Sequence, residues 1–270
     1  MKKTILFGTL ALIVAGCHNA SSSDDASNSN IYSTPPATMS YTITNIYPHN
    51  PESFTEGLEY HDGFLYESGG DPDYTGKSKL ARVELKTGNE MQKINLAKEY
   101  FGEGVTLLNG KIYQLTYKEQ KCFVYDAKTF KLLNTFTYDG EGWGMTNDGK
   151  YIIMDNGSNN LYYRDPETFK EVKRIGVVDN NGGLSNINEL EYVNGFIYAN
   201  VWQSDKIVKI DPATGKVVAQ ADLTGILQKN INPKDIGTID VLNGIAYDAK
   251  TKHFFITGKY WPRVFEIQFN

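Results

Sequence analysis

A repeat of about 46 residues is the feature that most limits the possible folds of this 270-residue sequence. An Asn-Gly or Asp-Gly pair that leads into an aromatic strand occurs four times, and successive glycines are separated by 47, 39 and 46 residues. Such pairs tolerate the positive φ angles of tight hairpin turns. The four glycines are Gly63, Gly110, Gly149 and Gly195.

A second turn signature recurs along the sequence with nearly the same spacing as the first. Motifs such as "VYDAKTF" and "KIDPATG" place a threonine near the end of a hairpin, with separations of 42, 39 and 46 residues between Thr87, Thr129, Thr168 and Thr214. The intervening runs are short and rich in Tyr, Phe, Val and Ile, which is typical of strands. A unit of this length with about four strands has the size of a β-propeller blade.

The two ends of the sequence are expected to share one blade. Four units cover residues 56 to about 225, and "NGIAYD", "HFFITGK" and "RVFEIQF" supply three further strands. We predict that residues 41–48, "YTITNIYP", provide the missing strand and remove an exposed sheet edge. The sequence thus predicts an all-β, five-bladed propeller whose N-terminal strand closes the last blade, with six blades as the alternative. The long connections 177–188 and 222–242 are expected on one face, the second with a short helix.

The first residues have the three-part layout of a secretory signal. Two lysines precede an uncharged apolar run that is too short to span a membrane, and the run ends in "VAGC" at Cys17. This resembles the lipobox of bacterial lipoproteins, with an ordinary cleaved signal as the alternative. We therefore expect a lipoprotein signal peptide over 1–17 with Cys17 lipidated, a flexible tether over 18–40 that is poor in apolar residues, and a propeller catalytic domain over 41–270.

The expected location is that of an exported bacterial lipoprotein. No aspartate follows Cys17, so we expect the outer membrane, facing the periplasm or the cell surface. Removal of Lys2 and Lys3 leaves 25 basic against 32 acidic residues, and this negative balance argues against a nucleic acid partner. Cys122 is then unpaired, and we expect it in the core.

Acidic residues recur beside glycine in the predicted innermost strands. "EGL" at Glu56 returns as "EGV" at Glu103 and "EGW" at Glu141, while Glu189 and Asn243 align with them in the last two units. Because the first strand of each blade lines the axis of a propeller, we expect these side chains to converge near one mouth of the central channel. They could hold a structural cation, face channel water, or form an active site.

Six motifs resemble one known family. "FTEGL", "YFGEGVTLLNGKIYQLTY", "EGWGMTNDGK", "NINELEYVNGFIYANVWQSDKIVKID", "DVLNGIAYD" and "FFITGKYWPRVFEIQ" occur in the order found in the plant- and bacterial-type glutaminyl-peptide cyclotransferases. The resemblance runs from about residue 41 to the last residue. It implies cyclisation of an N-terminal glutamine of a peptide or protein to pyroglutamate, with release of ammonia and without a cofactor or metal.

The implied reaction is intramolecular, so the protein needs no nucleophile of its own. It must hold the curled substrate, move protons, and stabilise an oxyanion. The resemblance implies Glu103 as the proton shuttle and Glu56 as a second acid. It also implies Lys259 as a fixed cation that stabilises the oxyanion or the leaving group. We expect supporting or hydrogen-bonding roles for Glu141 and Glu191.

The family motifs also imply residues that bind the substrate. Asn188 is suited to hydrogen-bond the substrate amide, and Trp143 and Trp202 would wall the pocket against the glutamine side chain. Glu189 is placed in the same group. Each of these residue types also has an ordinary structural role, as a turn, core or channel residue.

Other functional classes are distinguished by their chemical needs. The four histidines form no cluster with zinc-ligand spacing, and no G-x-S-x-G element is present. Two alternatives remain: a non-catalytic propeller that binds partners at the cell surface, and a calcium-dependent propeller lactonase with Glu and Asn ligands. For the enzyme we expect peptide or protein substrates with N-terminal glutamine, membrane attachment through lipid on Cys17, and a monomer.

Overall fold

The computed structural model describes residues 34–270, which form a ring of five antiparallel sheets. The two N-terminal strands are β1 (Ala37–Thr38) and β2 (Tyr41–Pro48). Blade 1 contains β3 (Phe54–His61), β4 (Phe64–Gly70), β5 (Lys79–Glu84) and β6 (Glu90–Asn95). Blade 2 contains β7 (Gly102–Leu108), β8 (Lys111–Thr116), β9 (Lys121–Asp126) and β10 (Leu132–Thr137).

The second half of the chain completes the ring. Blade 3 contains β11 (Met145–Asn147), β12 (Ile152–Met154), β13 (Asn160–Arg164) and β14 (Glu171–Gly176). A small hairpin follows, made of β15 (Val178–Asp179) and β16 (Gly182–Gly183). Blade 4 contains β17 (Ile187–Val193), β18 (Phe196–Val201), β19 (Lys206–Ile210) and β20 (Val217–Asp222). The next connection carries α1 (Ile226–Asn230) and α2 (Pro233–Ile236). Blade 5 contains β21 (Leu242–Asp248), β22 (His253–Gly258) and β23 (Arg263–Phe269).

The N-terminal strand closes the last blade, as predicted. β2 pairs antiparallel with β23, with Tyr41 opposite Phe269 and Pro48 opposite Arg263. β1 adds a short parallel strand to the outer edge of blade 4, so residues 37–38, at the end of the predicted tether, lie in a sheet. The predicted signal peptide with Cys17, and residues 18–33 of the predicted tether, lie outside the described residues.

The turn signatures have the predicted backbone conformation in three of the four hairpins. Both residues of the pair adopt positive φ at Asp62–Gly63 (49° and 89°), at Asn109–Gly110 (53° and 74°) and at Asn194–Gly195 (51° and 86°). The predicted helix in the second long connection is confirmed by α1, and the first long connection forms the β15–β16 hairpin. Among the described residues, no helix is long and apolar enough to cross a membrane.

Apolar side chains fill the spaces between neighbouring blades. Leu58 and Leu65 of blade 1 pack in one cluster with Phe255 and Val264 of blade 5, so the first and last units of the ring share a core. Cys122 is fully buried between blades 2 and 3, as expected for a core residue, and within residues 34–270 it forms no disulfide.

We predict that β2 is required for a stable ring. Tyr41 and Ile43 pack against the core cluster of blades 4 and 5, and Tyr47 packs against the cluster of blades 1 and 5. Fully burying one side chain of this size contributes about 1.5–3 kcal/mol. Losing about 3 kcal/mol from these three partly buried residues corresponds to about 6–12 °C in Tm.

Thermal unfolding followed by circular dichroism checks this prediction. A chain that starts at residue 49 should have a Tm lower by at least that amount than a matched chain that starts at residue 34. Equal Tm values for the two chains would show that the ring does not depend on β2.

Candidate active site

The repeated glycines allow the innermost strands to approach one another at the axis. A Cβ atom on Gly57 would lie 2.5 Å from the backbone nitrogen of Val105, and one on Gly104 would lie 2.5 Å from that of Met145. A Cβ atom on Gly144 would lie 2.1 Å from the carbonyl oxygen of Asn188. Side chains cannot be accommodated at such distances. The Glu-Gly repeat therefore contains a structural requirement for glycine.

These contacts correct the predicted alignment of the repeated acids. The residues that precede Gly57, Gly104 and Gly144 are Glu56, Glu103 and Trp143, so a tryptophan takes the place that we had given to Glu141. The motif "EGWG" contains two glycines, and it is the second that packs against the neighbouring strand. The prediction that Glu141 is equivalent to Glu56 was therefore wrong.

β-bulges in the first strands turn the residues at the positions of Glu56 and Glu103 away from the regular sheet. The register between the first two strands shifts around Glu56 in blade 1 and around Glu103 in blade 2. Similar shifts occur between Ile187 and Leu190 in blade 4 and around Asn243 in blade 5. Bulges commonly redirect side chains beside functional sites. Here they recur at the positions that bring polar groups to the axis.

A cavity of about 290 Å³ lies where these residues converge. It includes six of the seven residues assigned to catalysis or substrate binding from the sequence. The cavity is lined by Phe54, Glu56, Phe101, Glu103, Tyr117, Trp143, Asn188, Trp202, Gln203, Asp240, Val241 and Lys259. The seventh residue, Glu189, is not in its wall.

A buried ion pair forms one side of the cavity. The Nζ atom of Lys259 lies 2.6 Å from Oε1 of Glu56, and the side chains are only 6% and 3% exposed. Asn243 donates from Nδ2 to the second carboxylate oxygen of Glu56 at 3.3 Å. Burial raises the pKa of Glu56 to about 7, even though the charge of Lys259 opposes this shift. Lys259 also lies over the ring of Phe54, 4.5 Å from its centroid.

Glu103 is the second buried carboxyl group of the cavity. Within residues 34–270 its side chain has no hydrogen-bond partner and forms no salt bridge. Burial raises its pKa well above the ordinary value, and the negative charge of Glu56 raises it further, while Lys259 acts in the opposite direction. A carboxyl group with a raised pKa holds a proton more strongly than an ordinary carboxylate, which suits it to accept and return a proton.

Asn188 and two tryptophans complete the opposite side. The Oδ1 atom of Asn188 is buried and unpaired among the described residues. A buried amide oxygen without a partner is unfavourable unless a ligand or water satisfies it. Trp143 and Trp202 meet edge to face, with ring centroids 5.5 Å apart and an interplanar angle of 80°. The Nε1 atom of Trp143 donates to Glu141 at 3.0 Å, a contact that orients the indole ring.

Glu189 lies beside the cavity and links three blades. One of its carboxylate oxygens accepts from the backbone nitrogen of Leu58 at 2.9 Å, and the other accepts from that of Ile245 at 2.7 Å. Glu191 is also buried, and the charges of Glu59 and Glu189 contribute to raising its pKa. Both residues lie in the central channel, where they support the ring and do not line the cavity. Neither is therefore positioned to contact a ligand in the cavity.

A buried histidine anchors the segment that carries Lys259. His49 contacts the carbonyl oxygen of Trp261 through Nδ1 at 2.6 Å, and its backbone nitrogen donates to Pro262. Its Nε2 atom lies 3.0 Å from Glu67. Sequence reasoning missed this role, because His49 and Trp261 are separated by 212 residues.

Several wall residues were also absent from the sequence-based set. Phe54, Phe101 and Tyr117 lie within or beside the quoted motifs, so their proximity to Glu56 and Glu103 was a usable signal. Gln203, Asp240 and Val241 also lie within quoted motifs, Gln203 directly after Trp202 and the other two at the start of "DVLNGIAYD". They belong to connections that the closed ring brings to the cavity. In the described part of the chain, no group of three or more His, Cys, Asp or Glu side chains is arranged to hold a metal ion.

Fold and site together define a five-bladed propeller with an acid–base cavity at its axis. The family described as "Glutamine cyclotransferase" matches residues 9–269. A glutaminyl-peptide cyclotransferase of Arabidopsis thaliana is 37% identical over 224 residues, which is 82% of this chain and 69% of that relative. The crystal structure of Myxococcus xanthus glutaminyl cyclase superposes with a TM-score of 0.77 at 33% identity, covering 87% of this chain and 98% of that chain. The chain therefore belongs to the glutamine cyclotransferase family.

We predict that Glu103→Gln stabilises the protein above neutral pH. The folded-state pKa of Glu103 is raised, so the associated stability is fully present below the unfolded pKa of about 4.3 and is lost as pH rises through the folded pKa. Glutamine cannot ionise and escapes this loss.

The measurement is Tm against pH for both proteins. The variant should have the higher Tm at pH 8, and the gap should shrink as pH falls toward 4. A Tm difference that does not change with pH would contradict the raised pKa.

Proposed function

We propose that the protein is a glutaminyl-peptide cyclotransferase, which converts the N-terminal glutamine of a peptide or protein to pyroglutamate and releases ammonia. Family membership supports this activity. The observation that carries it is the unpaired, buried carboxyl group of Glu103 beside the Glu56–Lys259 ion pair. This arrangement supplies a proton shuttle and a fixed cation within one small cavity.

The size and walls of the cavity suit a curled glutamine residue. Its volume of about 290 Å³ is at the lower end of the range for small-molecule sites, so it accommodates one terminal residue, with the remaining peptide outside. Trp143 and Trp202 confine the side chain and reduce the access of water. The attack of the α-amine on the side-chain amide is already intramolecular, so the cavity contributes by holding the substrate in the curled conformer in which the two groups meet.

Proton transfer follows from the raised pKa of Glu103. The α-ammonium group has an ordinary pKa of about 7.7–8.0, and the raised pKa of Glu103 makes its ionised form a stronger base for this proton than an ordinary carboxylate. The free amine attacks the side-chain amide carbon and forms a new C–N bond. Glu103 then donates this proton to the amide nitrogen, the original C–N bond breaks, and ammonia leaves. Ionised Glu103 takes the remaining extra proton from the new lactam nitrogen, which leaves neutral pyroglutamate.

The other polar residues orient the substrate and stabilise charge. Asn188 has an unpaired amide oxygen that can accept from the substrate amide. Lys259 provides a fixed positive charge for the developing oxyanion, and Glu56 fixes the position of that charge. Glu56 also offers a carboxylate to the α-ammonium group.

We predict that the domain starting at residue 34 converts a peptide with N-terminal glutamine in the presence of EDTA. Glu103→Gln should lower kcat by about 10²–10⁴-fold, because a positioned general acid–base typically contributes this much. Mass spectrometry of the peptide and an ammonia assay follow the reaction. Glu99→Gln is the matched control, since Glu99 is exposed and lies four residues before Glu103.

The outcomes separate the alternative functions. Conversion by the wild type and by Glu99→Gln, but not by folded Glu103→Gln, supports the cyclotransferase. Failure of the wild type with and without added calcium would favour a binding propeller. Activity on lactones that requires calcium would favour the lactonase.

We predict that Lys259→Met moves the acid limb of the kcat/KM profile to higher pH. Lys259 lowers the pKa of both Glu56 and Glu103, so its removal raises both values and reduces the ionised base at neutral pH. Loss of the fixed cation should also lower kcat by about 10²–10³-fold. An acid limb that stays in place or moves to lower pH would contradict this electrostatic role.

We also propose that the protein is an exported bacterial lipoprotein, anchored in the outer membrane through Cys17 and monomeric. The lysines, apolar run and "VAGC" sequence support the signal and the lipid site, and the absence of aspartate after Cys17 supports the outer membrane. An anchored enzyme would meet the N-termini of exported proteins.

Cell fractionation tests the anchor. The wild type should sediment with outer membranes and carry lipid on Cys17, while Cys17→Ser should lack this lipid and leave the outer-membrane fraction. Light scattering of the domain starting at residue 34 tests the monomer. Outer-membrane retention of Cys17→Ser would exclude Cys17 as the anchor.

A further inference from the structure

A second cleft lies directly beside the catalytic cavity. It has a volume of about 580 Å³ and is formed by the segment that enters β3, the connection between β4 and β5, and the loop that contains Tyr260. Phe54 lines both the cleft and the cavity. A different cleft, between the outer strands of blades 2 and 3, has no lining residue in common with the cavity.

The partition between cavity and cleft is thin. Phe54 and Tyr260 form it, with ring centroids 5.0 Å apart, and Tyr260 directly follows Lys259 in the chain. An extended peptide advances about 3.3–3.6 Å per residue, so one or two residues span such a partition. The cavity accommodates a single residue, and the peptide that follows it has to leave across the rim.

The charges deep in the cleft are already neutralised. Lys79 donates to Ser53 at 2.7 Å and forms an ion pair with Glu90, which also pairs with Lys93. The carboxylate of Asp71 accepts from four groups of its own connection, including three backbone nitrogens. These residues shape the cleft, and their charges are satisfied within the protein.

The charged side chains at the mouth of the cleft are exposed and, among the described residues, lack the ion pairs found deeper in it. Glu52 and Asp73 are exposed and form no ion pair or side-chain hydrogen bond within residues 34–270, and Lys77 is the one exposed cation there without an ion pair. Asp240 lies in the cavity wall on the other side of Tyr260. The charges of Asp73 and Asp240 both contribute to raising the pKa of Tyr260, after burial, as expected for acids on either side of this residue.

We propose that this cleft binds the residues that follow the N-terminal glutamine of the substrate, and that Glu52 and Asp73 favour a basic side chain there. The proposal rests on the cyclotransferase function above and adds a preference within its substrate class. Peptides with Lys or Arg at the second or third position are better substrates than peptides with Asp or Glu. The preference is electrostatic, so it weakens as salt increases.

The test compares kcat/KM for two tripeptide amides, Gln-Lys-Ala and Gln-Glu-Ala, with glutamine amide as a probe of the cavity alone. The wild type should favour the lysine peptide by about two- to fivefold at low ionic strength, the range expected for one exposed ion pair. Asp73→Lys should abolish or reverse this ratio. Asp139→Lys is the matched control, because this substitution changes the net charge by the same amount. Asp139 is exposed and lines the cleft between blades 2 and 3.

Each outcome of this test either supports or contradicts the proposed subsite. A reversed ratio in Asp73→Lys with a retained ratio in Asp139→Lys supports it. Equal kcat/KM for both peptides in the wild type, or an equal loss of preference in both variants, would overturn it. If the wild type cyclises glutamine amide but its kcat/KM does not depend on peptide charge, the proposed subsite is wrong and the enzyme function is retained. If it cyclises none of the three compounds, the proposed function is wrong as well.

Discussion

The buried arrangement of two carboxyl groups and one ammonium group is the constraint on which the site depends. Lys259 forms an ion pair with Glu56 through a 2.6 Å contact, and Glu103 is left without a cation of its own. Burial and the nearby charge of Glu56 then raise the pKa of Glu103. The same feature that makes Glu103 costly to ionise in the folded protein supports the proton exchange with an amine that we propose for it.

The propeller maintains this arrangement through contacts between distant parts of the chain. Gly57 and Gly104 allow the first strands to approach at the axis, where bulges expose Glu56 and Glu103 to the cavity. His49 holds the segment that carries Lys259. Because His49 follows directly after β2, the strand that closes the ring also leads into the residue that supports the Lys259 segment.

The fold was predictable from the sequence because its information is local and repeated. Turn pairs such as Asn109–Gly110 indicate the hairpin geometry directly. The strand at 41–48, which belongs to none of the four repeated units, predicted closure of the last blade. The family motifs predicted six of the residues that line the cavity. The error at Glu141 arose because the sequence does not show which glycine of "EGWG" packs against the axis. His49 could not be found, since its partner is more than 200 residues away.

The most direct test of this account is an infrared titration of the Glu103 carboxyl group. The difference spectrum between wild type and Glu103→Gln isolates the C=O stretch of the protonated acid. The account predicts that this band persists well above pH 4.5, the ordinary value for a glutamate, and moves to still higher pH in Lys259→Met. Disappearance of the band with a midpoint near 4.5 would show that Glu103 is an ordinary carboxylate and would contradict its role as the proton shuttle.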